Sequence, residues 1–126
     1  MPNFALAERR SKPRFPSDGL LVHVRRKGRL GQLEGLAQDF NRFGVAIVVD
    51  QPLPKDALVF ITLCSGALKL DNVIGVVHNC TAVTGGYRCG IQFRTDSELQ
   101  MDPVMTEQEL TILETRFKTQ QQCGDI

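Results

Sequence analysis

The central part of the chain is a succession of short apolar runs, and each run ends at a cluster of glycine, proline, aspartate or asparagine. Such runs are typical of β-strands, because β-branched and apolar side chains fit a pleated, half-buried surface. We predict about six strands, over residues 20–25, 32–38, 45–49, 57–63, 68–80 and 87–94. No helical pattern separates them, so the strands should pair antiparallel. A sheet of this kind removes its edges most simply by closing, which predicts an all-β fold, a six-stranded antiparallel β-barrel.

A single α-helix is predicted after the strands, over residues 107–121. Thr106 and Glu109 have the spacing of a capping box, in which each side chain accepts a hydrogen bond from a backbone N–H at the helix start. Leu110, Leu113 and Phe117 then recur at helical spacing and form a narrow apolar stripe. We expect this stripe to pack on the chain's own barrel, and packing on a partner chain is the alternative.

Charge is distributed unevenly along the chain. The 126 residues carry a formal net charge of +1. Residues 1–31 hold eight basic and two acidic residues, a net +6, whereas residues 32–126 hold seven basic and twelve acidic residues, a net −5. This asymmetry indicates a local anion-binding end and argues against general coating of nucleic acid. We predict one domain in three parts: a flexible basic N-terminal arm (1–18), the β-barrel (19–96), and a C-terminal helix with a tail (97–126).

The basic charge of the arm is concentrated in residues 8–14, which contain three arginines and one lysine. Pro13 and Pro16 disfavour both a helix and a central strand here, because proline lacks a backbone N–H and restricts the residue before it. Cations held close together repel one another, so the cluster gains nothing in folding unless it meets an anion. The alternative is a solvated basic tail.

Several functional classes find no support in the sequence. It contains no nucleophile elbow, phosphate-binding loop or metalloprotease motif, so we do not expect an enzyme. The four cysteines are irregularly spaced and only two histidines are present, so neither a zinc site nor a redox motif is indicated. There is no signal peptide or membrane-spanning run, which favours a cytoplasmic protein. The residues concerned are Cys64, Cys80, Cys89, Cys123, His23 and His78.

Three motifs together resemble the PilZ domain family. Residues 8–14 contain the pattern R-x-x-x-R, residues 39–44 contain D-x-N-x-x-G, and residues 87–93 form an alternating last strand that includes G-I-x-F. The family's signatures are R-x-x-x-R and [D/N]-x-S-x-x-G, in the same order. The resemblance implies a six-stranded antiparallel barrel followed by a helix. It also implies binding of cyclic di-GMP, a bacterial second messenger, without chemistry on the ligand and without a cofactor.

The resemblance identifies a set of candidate ligand-binding residues. Arginine forks can bond phosphate oxygens or the O6 and N7 acceptors of guanine, and an aspartate can accept the hydrogens on guanine's Watson–Crick edge. Asn41 stands where the family has serine, so it can replace a hydroxyl's bonds or form an Asx turn with Asp39 instead. The imidazole of His78 can stack weakly on a base. The candidates are Arg9, Arg10, Arg14, Asp39, Asn41, Gly44 and His78.

Three functions are consistent with these motifs. The first is a cyclic di-GMP receptor that signals to an unidentified effector protein when the ligand orders the arm. The second is a PilZ-like adaptor that has lost the ligand, which the Asn41 departure favours. The third, a small-barrel nucleic-acid binder, is disfavoured because the aromatic residues are not clustered with the arginines. We therefore expect no nucleic-acid polymer as a partner and no insertion into a membrane.

Overall fold

The computed structural model describes residues 19–124, and side chains as far as residue 119. These residues form six antiparallel strands followed by one helix, which confirms the predicted fold class. The elements are β1 (Leu21–Arg26), β2 (Leu33–Asn41), β3 (Gly44–Val49), β4 (Leu58–Ser65), β5 (Leu68–Val83), β6 (Gly86–Phe93) and α1 (Pro103–Gly124).

The strands close into a barrel in the order β1-β2-β3-β6-β5-β4. Strand β1 closes it, since Leu21 pairs with Leu36 of β2 on one side and with Cys64 of β4 on the other. Every strand therefore has two neighbours, so the barrel leaves no open edge of the kind that templates aggregation.

The interior of the barrel is filled with aliphatic side chains. Alternate residues of each strand point inward, as the period of two requires. The most completely buried of them are Val22, Val24, Ile47, Val59, Ile61, Leu63, Val73 and Val77. A barrel of this size packs its interior with side chains, so a ligand must bind on the outside.

Thr84 and Gly85 form the turn between β5 and β6. Gly85 has a φ of 89°, a left-handed conformation that glycine adopts without steric cost. Two strands are longer than predicted: β2 continues through Asp39 to Asn41, and β5 continues to Val83. The D-x-N-x-x-G motif therefore begins within a strand and not in a loop.

The predicted capping box does not form, because the helix begins at Pro103, one turn earlier than expected. Proline is favoured at the first helical position, where its missing N–H has no intrahelical partner in any case. Thr106 lies inside the first turn, where its backbone N–H bonds the carbonyl of Asp102 at 2.9 Å. Its hydroxyl donates to the carbonyl of Met101 at 3.2 Å, so it does not act as an N-cap.

The apolar stripe of α1 packs on the chain's own barrel, as predicted. Leu110, Leu113 and Phe117 are buried, and the helix contacts β2 and β5. The ring of Phe117 meets Phe40 of β2 edge to face, with 5.8 Å between centroids. Phe40 meets Phe93 of β6 in the same way at 6.0 Å. This aromatic cluster fixes the helix across one end of the barrel.

Within residues 19–124 no helix is both long and apolar enough to cross a membrane. The same part of the chain has no cluster of three or more histidine, cysteine or acidic residues that could hold a metal ion. Cys64, Cys80 and Cys89 are free thiols. Cys89 is buried beside Cys80, with 3.1 Å between their sulfur atoms. Burial, reinforced by the neighbouring Cys80 thiol, raises the pKa of Cys89 to about 12.

Candidate functional site

One row of paired residues crosses four strands on the outer surface of the barrel. Asp39 of β2 pairs with Ala46 of β3, and Ala46 pairs with Gly90 of β6. Gly90 in turn pairs with Asn79 of β5. The two middle residues are the smallest available, whereas the two end residues carry polar side chains. The row is therefore a trough with a flat floor and polar rims.

Three residues of the trough, Asp39, Ala46 and Gly90, line a depression of about 440 Å³. Its polar lining comes from Asp39, Asn41, His78, Arg88 and Gln92. Four of the predicted site residues, Asp39, Asn41, Gly44 and His78, thus line a single surface although they come from three different strands. The fold brings them together by strand pairing, since β3 and β6 lie between β2 and β5 in the barrel.

A β-bulge lies at each rim of the trough. Gln38 is an extra residue on β2 between the pairs made by Ala37 and Asp39. His78 is likewise an extra residue on β5, between the pairs made by Val77 and Asn79. Bulges bend a strand and change the direction of the side chains beside them. They explain how Asp39 and His78 both come to line a depression on the outer face.

Asn41 forms an Asx turn, as the alternative interpretation of the motif proposed. Its Oδ1 accepts hydrogen bonds from the backbone N–H groups of Phe43, at 2.7 Å, and of Gly44, at 3.1 Å. The carbonyl oxygen of this side chain is thereby occupied, and the amide nitrogen keeps its two donors. Asp39 takes no part in the turn and its exposed side chain lines the depression. The Asx interpretation therefore holds for Asn41 and fails for Asp39.

Gly44 is required by the packing of two backbones. A Cβ at this position would lie 2.6 Å from the carbonyl oxygen of Ile91 on β6, closer than such atoms can approach. Any larger residue would therefore push β3 away from β6. Gly44 thus allows β3 and β6 to pair closely beneath the depression.

The turn between β2 and β3 is anchored to the helix by one carboxylate. Glu114 of α1 is only 7% exposed, and its Oε2 accepts the backbone N–H of Arg42 at 3.1 Å. Its Oε1 lies 3.4 Å from Nε of the half-exposed Arg42 side chain. The helix and the Asx turn thus share a contact that neither sequence pattern predicts.

The candidate arginines of the arm, Arg9, Arg10 and Arg14, lie outside the described residues. The described chain starts at Gly19, and the carbonyl of Leu20 accepts the N–H of Ala37 at 2.9 Å, two residues before Asp39. Arg14 precedes Gly19 by five residues. Since an extended chain spans roughly 3.5 Å per residue, Arg14 is tethered within about 17 Å of Gly19.

Three polar residues of the site were not predicted. Arg88 and Gln92 line the depression from β6, and the alternation of that strand already placed them on the same outer face as Gly90. Asn79 had no local signal. Its Oδ1 accepts the backbone N–H of Gly90 at 3.1 Å, which holds the amide over the floor.

Comparison with protein families identifies a PilZ domain over residues 8–106, which is most of the chain. No curated protein and no solved structure gives a significant match. The matched region includes the arginine-rich stretch, the D-x-N-x-x-G motif and all six strands of the barrel. The chain belongs to the PilZ domain family.

Proposed function

We propose that this protein binds cyclic di-GMP in the depression that Asp39, Ala46, Gly90 and Asn79 cross, and that it does no chemistry on the ligand. The observation that carries the proposal is this row of four paired residues. The carboxylate of Asp39 and the amide of Asn79 stand at its two ends, and the small residues Ala46 and Gly90 form a flat floor between them. Membership of the PilZ family supports it, because PilZ domains act as binding or adaptor domains.

Asp39 is the proposed guanine reader. An ionised carboxylate only accepts hydrogen bonds, and the N1–H and N2–H groups of guanine are donors on one edge of the base. Adenine presents an acceptor at N1, so the same carboxylate disfavours it. Asp39 is exposed at the rim, where a base lying over Ala46 and Gly90 would present its edge to it.

The phosphates require cations, and the described part of the site supplies one. Arg88 lines the depression from β6 and can bond a phosphate oxygen pair or the O6 and N7 atoms of guanine through its fork. Arg9, Arg10 and Arg14 would add the remaining charge from the arm. His78, at the opposite rim, has a flat ring for stacking on the second base.

Titration calorimetry of the purified protein with cyclic di-GMP tests the proposal. We expect the wild-type protein to bind cyclic di-GMP. Asp39→Ala should weaken the binding of cyclic di-GMP much more than that of cyclic di-AMP, since only guanine loses a hydrogen-bond acceptor for its Watson–Crick edge. Arg14→Ala should weaken both ligands, by about 2 kcal/mol or more for cyclic di-GMP. Asp50→Ala removes an equally exposed carboxylate from the β3–β4 loop and serves as the matched control. Equal losses for both ligands in the Asp39 variant would show that Asp39 does not read guanine.

Signalling is proposed to use the arm. Residues 1–18 contain few apolar anchors and several repelling cations, so ordering them needs a gain that the chain alone does not supply. A doubly negative ligand neutralises that repulsion and would draw Arg9 to Arg14 over the depression, creating a surface for an effector protein. Amide hydrogen exchange of residues 7–15 should slow when cyclic di-GMP is added. Fast exchange that is unchanged in the saturated complex would exclude the arm as the switch.

One observation favours the second candidate, an adaptor without ligand. Both hydrogen bonds that Asn41 accepts go to its own turn, so its carbonyl oxygen is not available to a ligand. Replacing Asn41 with serine, the residue of the family signature, should therefore strengthen binding if the site is competent. A wild-type protein that gives no heat with saturating cyclic di-GMP, together with an Asn41→Ser variant that also gives none, would favour the adaptor.

A further inference from the structure

The outer face of α1, which points away from the barrel, is uncharged and exposes several apolar side chains. Met105, Gln108, Ile112, Thr115 and Thr119 are exposed and are spaced alternately by three and four residues, and we call them the outer seam. Alternating spacing of this kind is the pattern by which one helix packs along another. Met101 and Val104 extend the apolar surface at its N-terminal end. The exposed fractions of the apolar members are 74% for Met101, 68% for Val104, 59% for Met105 and 57% for Ile112.

The threonines of the outer seam add to this apolar character. The hydroxyl of Thr115 donates to the carbonyl of Thr111 at 3.2 Å, and that of Thr119 donates to the carbonyl of Thr115 at 2.9 Å. Both hydroxyl hydrogens are therefore satisfied within the helix. No charged residue belongs to the outer seam. A face of this composition loses little when it is removed from water.

The charges beside the outer seam are arranged for pairing with a second copy. Glu109 and Arg116 lie on the same edge, seven residues apart, and neither is paired with an opposite charge elsewhere in residues 19–119. If two copies of α1 pack antiparallel about a two-fold axis at Ile112, Glu109 of one copy comes within one residue of the level of Arg116 of the other, about 1.5 Å along the axis, and this occurs twice. The same axis sets Ile112 against Ile112 and Met105 against Thr119, and it brings Gln108 within one residue of Thr115.

We propose that two copies of this chain associate through the outer seams of their α1 helices, antiparallel and with a two-fold axis at Ile112. The contact is isologous, so it closes at two copies and does not propagate into a filament. Both barrels lie on the far sides of the helix pair, because α1 buries its opposite face on its own barrel. Arg116 is exposed, and its guanidinium lies beside Gly66 of the β4–β5 turn, so it reaches the partner by rotating about its own side-chain bonds.

Sedimentation equilibrium of the full chain, from micromolar to millimolar concentration, tests this proposal. We expect the mass to rise from that of the 14.0 kDa monomer towards twice that value. Ile112→Glu should raise the dissociation constant at least about tenfold, because it places two carboxylates at the axis. Glu109→Arg or Arg116→Glu alone should weaken the dimer, whereas the double reversal should restore it. Asp50→Arg, in the β3–β4 loop, changes the net charge by as much as Glu109→Arg does, and it should leave the dimer intact.

Three results would overturn the proposal. The first is a wild-type chain that stays monomeric at the highest concentration. The second is an Ile112→Glu variant that dimerises like the wild type although its thermal melt shows it to be folded. The third is a double reversal that dimerises no better than the single reversals, which would mean that Glu109 and Arg116 do not face each other. None of these outcomes depends on cyclic di-GMP, so the proposal stands or falls separately from the binding function.

Discussion

The contact of Glu114 with the β2–β3 turn allows a test in which three variants separate a hydrogen bond from an ion pair. Glu114→Ala removes the acceptor of the Arg42 backbone N–H and leaves that donor beside a helix with no replacement. A hydrogen bond to a charged group contributes about 1.5–3 kcal/mol. The ion pair with the exposed Arg42 side chain adds only about 0.2–1 kcal/mol. Since removal also relieves the desolvation of a nearly buried carboxylate, we expect a net loss of about 2 kcal/mol.

Two further variants isolate the terms of this estimate. Glu114→Gln keeps a carbonyl oxygen for the Arg42 N–H and loses only the charge, so it should cost less than about 1 kcal/mol. Arg42→Ala keeps the backbone N–H and loses the ion pair together with the cation–π contact of its guanidinium with the Phe43 ring, so it should cost about 0.5–1.5 kcal/mol. Urea unfolding at a dilute protein concentration measures the free energy of unfolding of all three variants. In thermal unfolding, Glu114→Ala should have a melting temperature about 6–10 °C below that of the wild type. If Glu114→Gln or Arg42→Ala destabilised the protein as much as Glu114→Ala does, the backbone hydrogen bond would not be the main contribution.

Three more predictions follow from packing and titration. Gly44→Ala should lower the free energy of unfolding by about 1–3 kcal/mol, because its Cβ meets the backbone oxygen of Ile91; urea unfolding at wild-type stability would contradict this. Gly90→Ala should leave stability within about 1 kcal/mol, since its Cβ meets only the side chain of Asn79 at 2.9 Å, yet calorimetry should show weaker cyclic di-GMP binding as the floor rises. Cys89, whose pKa is raised from 9.0 to about 12, keeps its proton more tightly when folded. The contribution of the buried thiol to the free energy of unfolding is complete below pH 9.0, and it falls by up to about 1.4 kcal/mol per pH unit as the pH rises towards 12. Cys89→Ala should therefore flatten the loss of stability at alkaline pH, as measured by chemical unfolding.

The strands could be predicted because each carries its own local signal. Alternation in β6 placed Arg88 and Gln92 on one face and Cys89 and Ile91 on the other, and the structure has them so. The hairpin turn at Gly85 likewise depends on a residue that tolerates a positive φ, which the sequence shows directly. Closure into a barrel followed from the number of strands and the need to remove edges.

The errors arose where a competing local signal or a distant partner decides the conformation. The Thr106 and Glu109 spacing is a valid helix start, but Pro103 occupies the first helical position one turn earlier. The bulges at Gln38 and His78 depend on the register of the strands beside them, and nothing in either sequence stretch marks them. Glu114 was missed for the same reason, since its partner lies 72 residues away in the chain. The arm residues stay a prediction.

Under the proposed function, the position of the depression accounts for a basic arm beside this barrel. The interior is filled, so the proposed ligand surface is the outer trough floored by Ala46 and Gly90, which is open to water on one side. Charged contacts in water are weak, because exposed ion pairs contribute about 0–1 kcal/mol each and are screened by salt. A segment that covers the ligand from above removes that water and strengthens each phosphate contact. In the proposed complex the barrel would supply Asp39 and Arg88, and further affinity for a doubly charged ligand would come from the arginines of the arm.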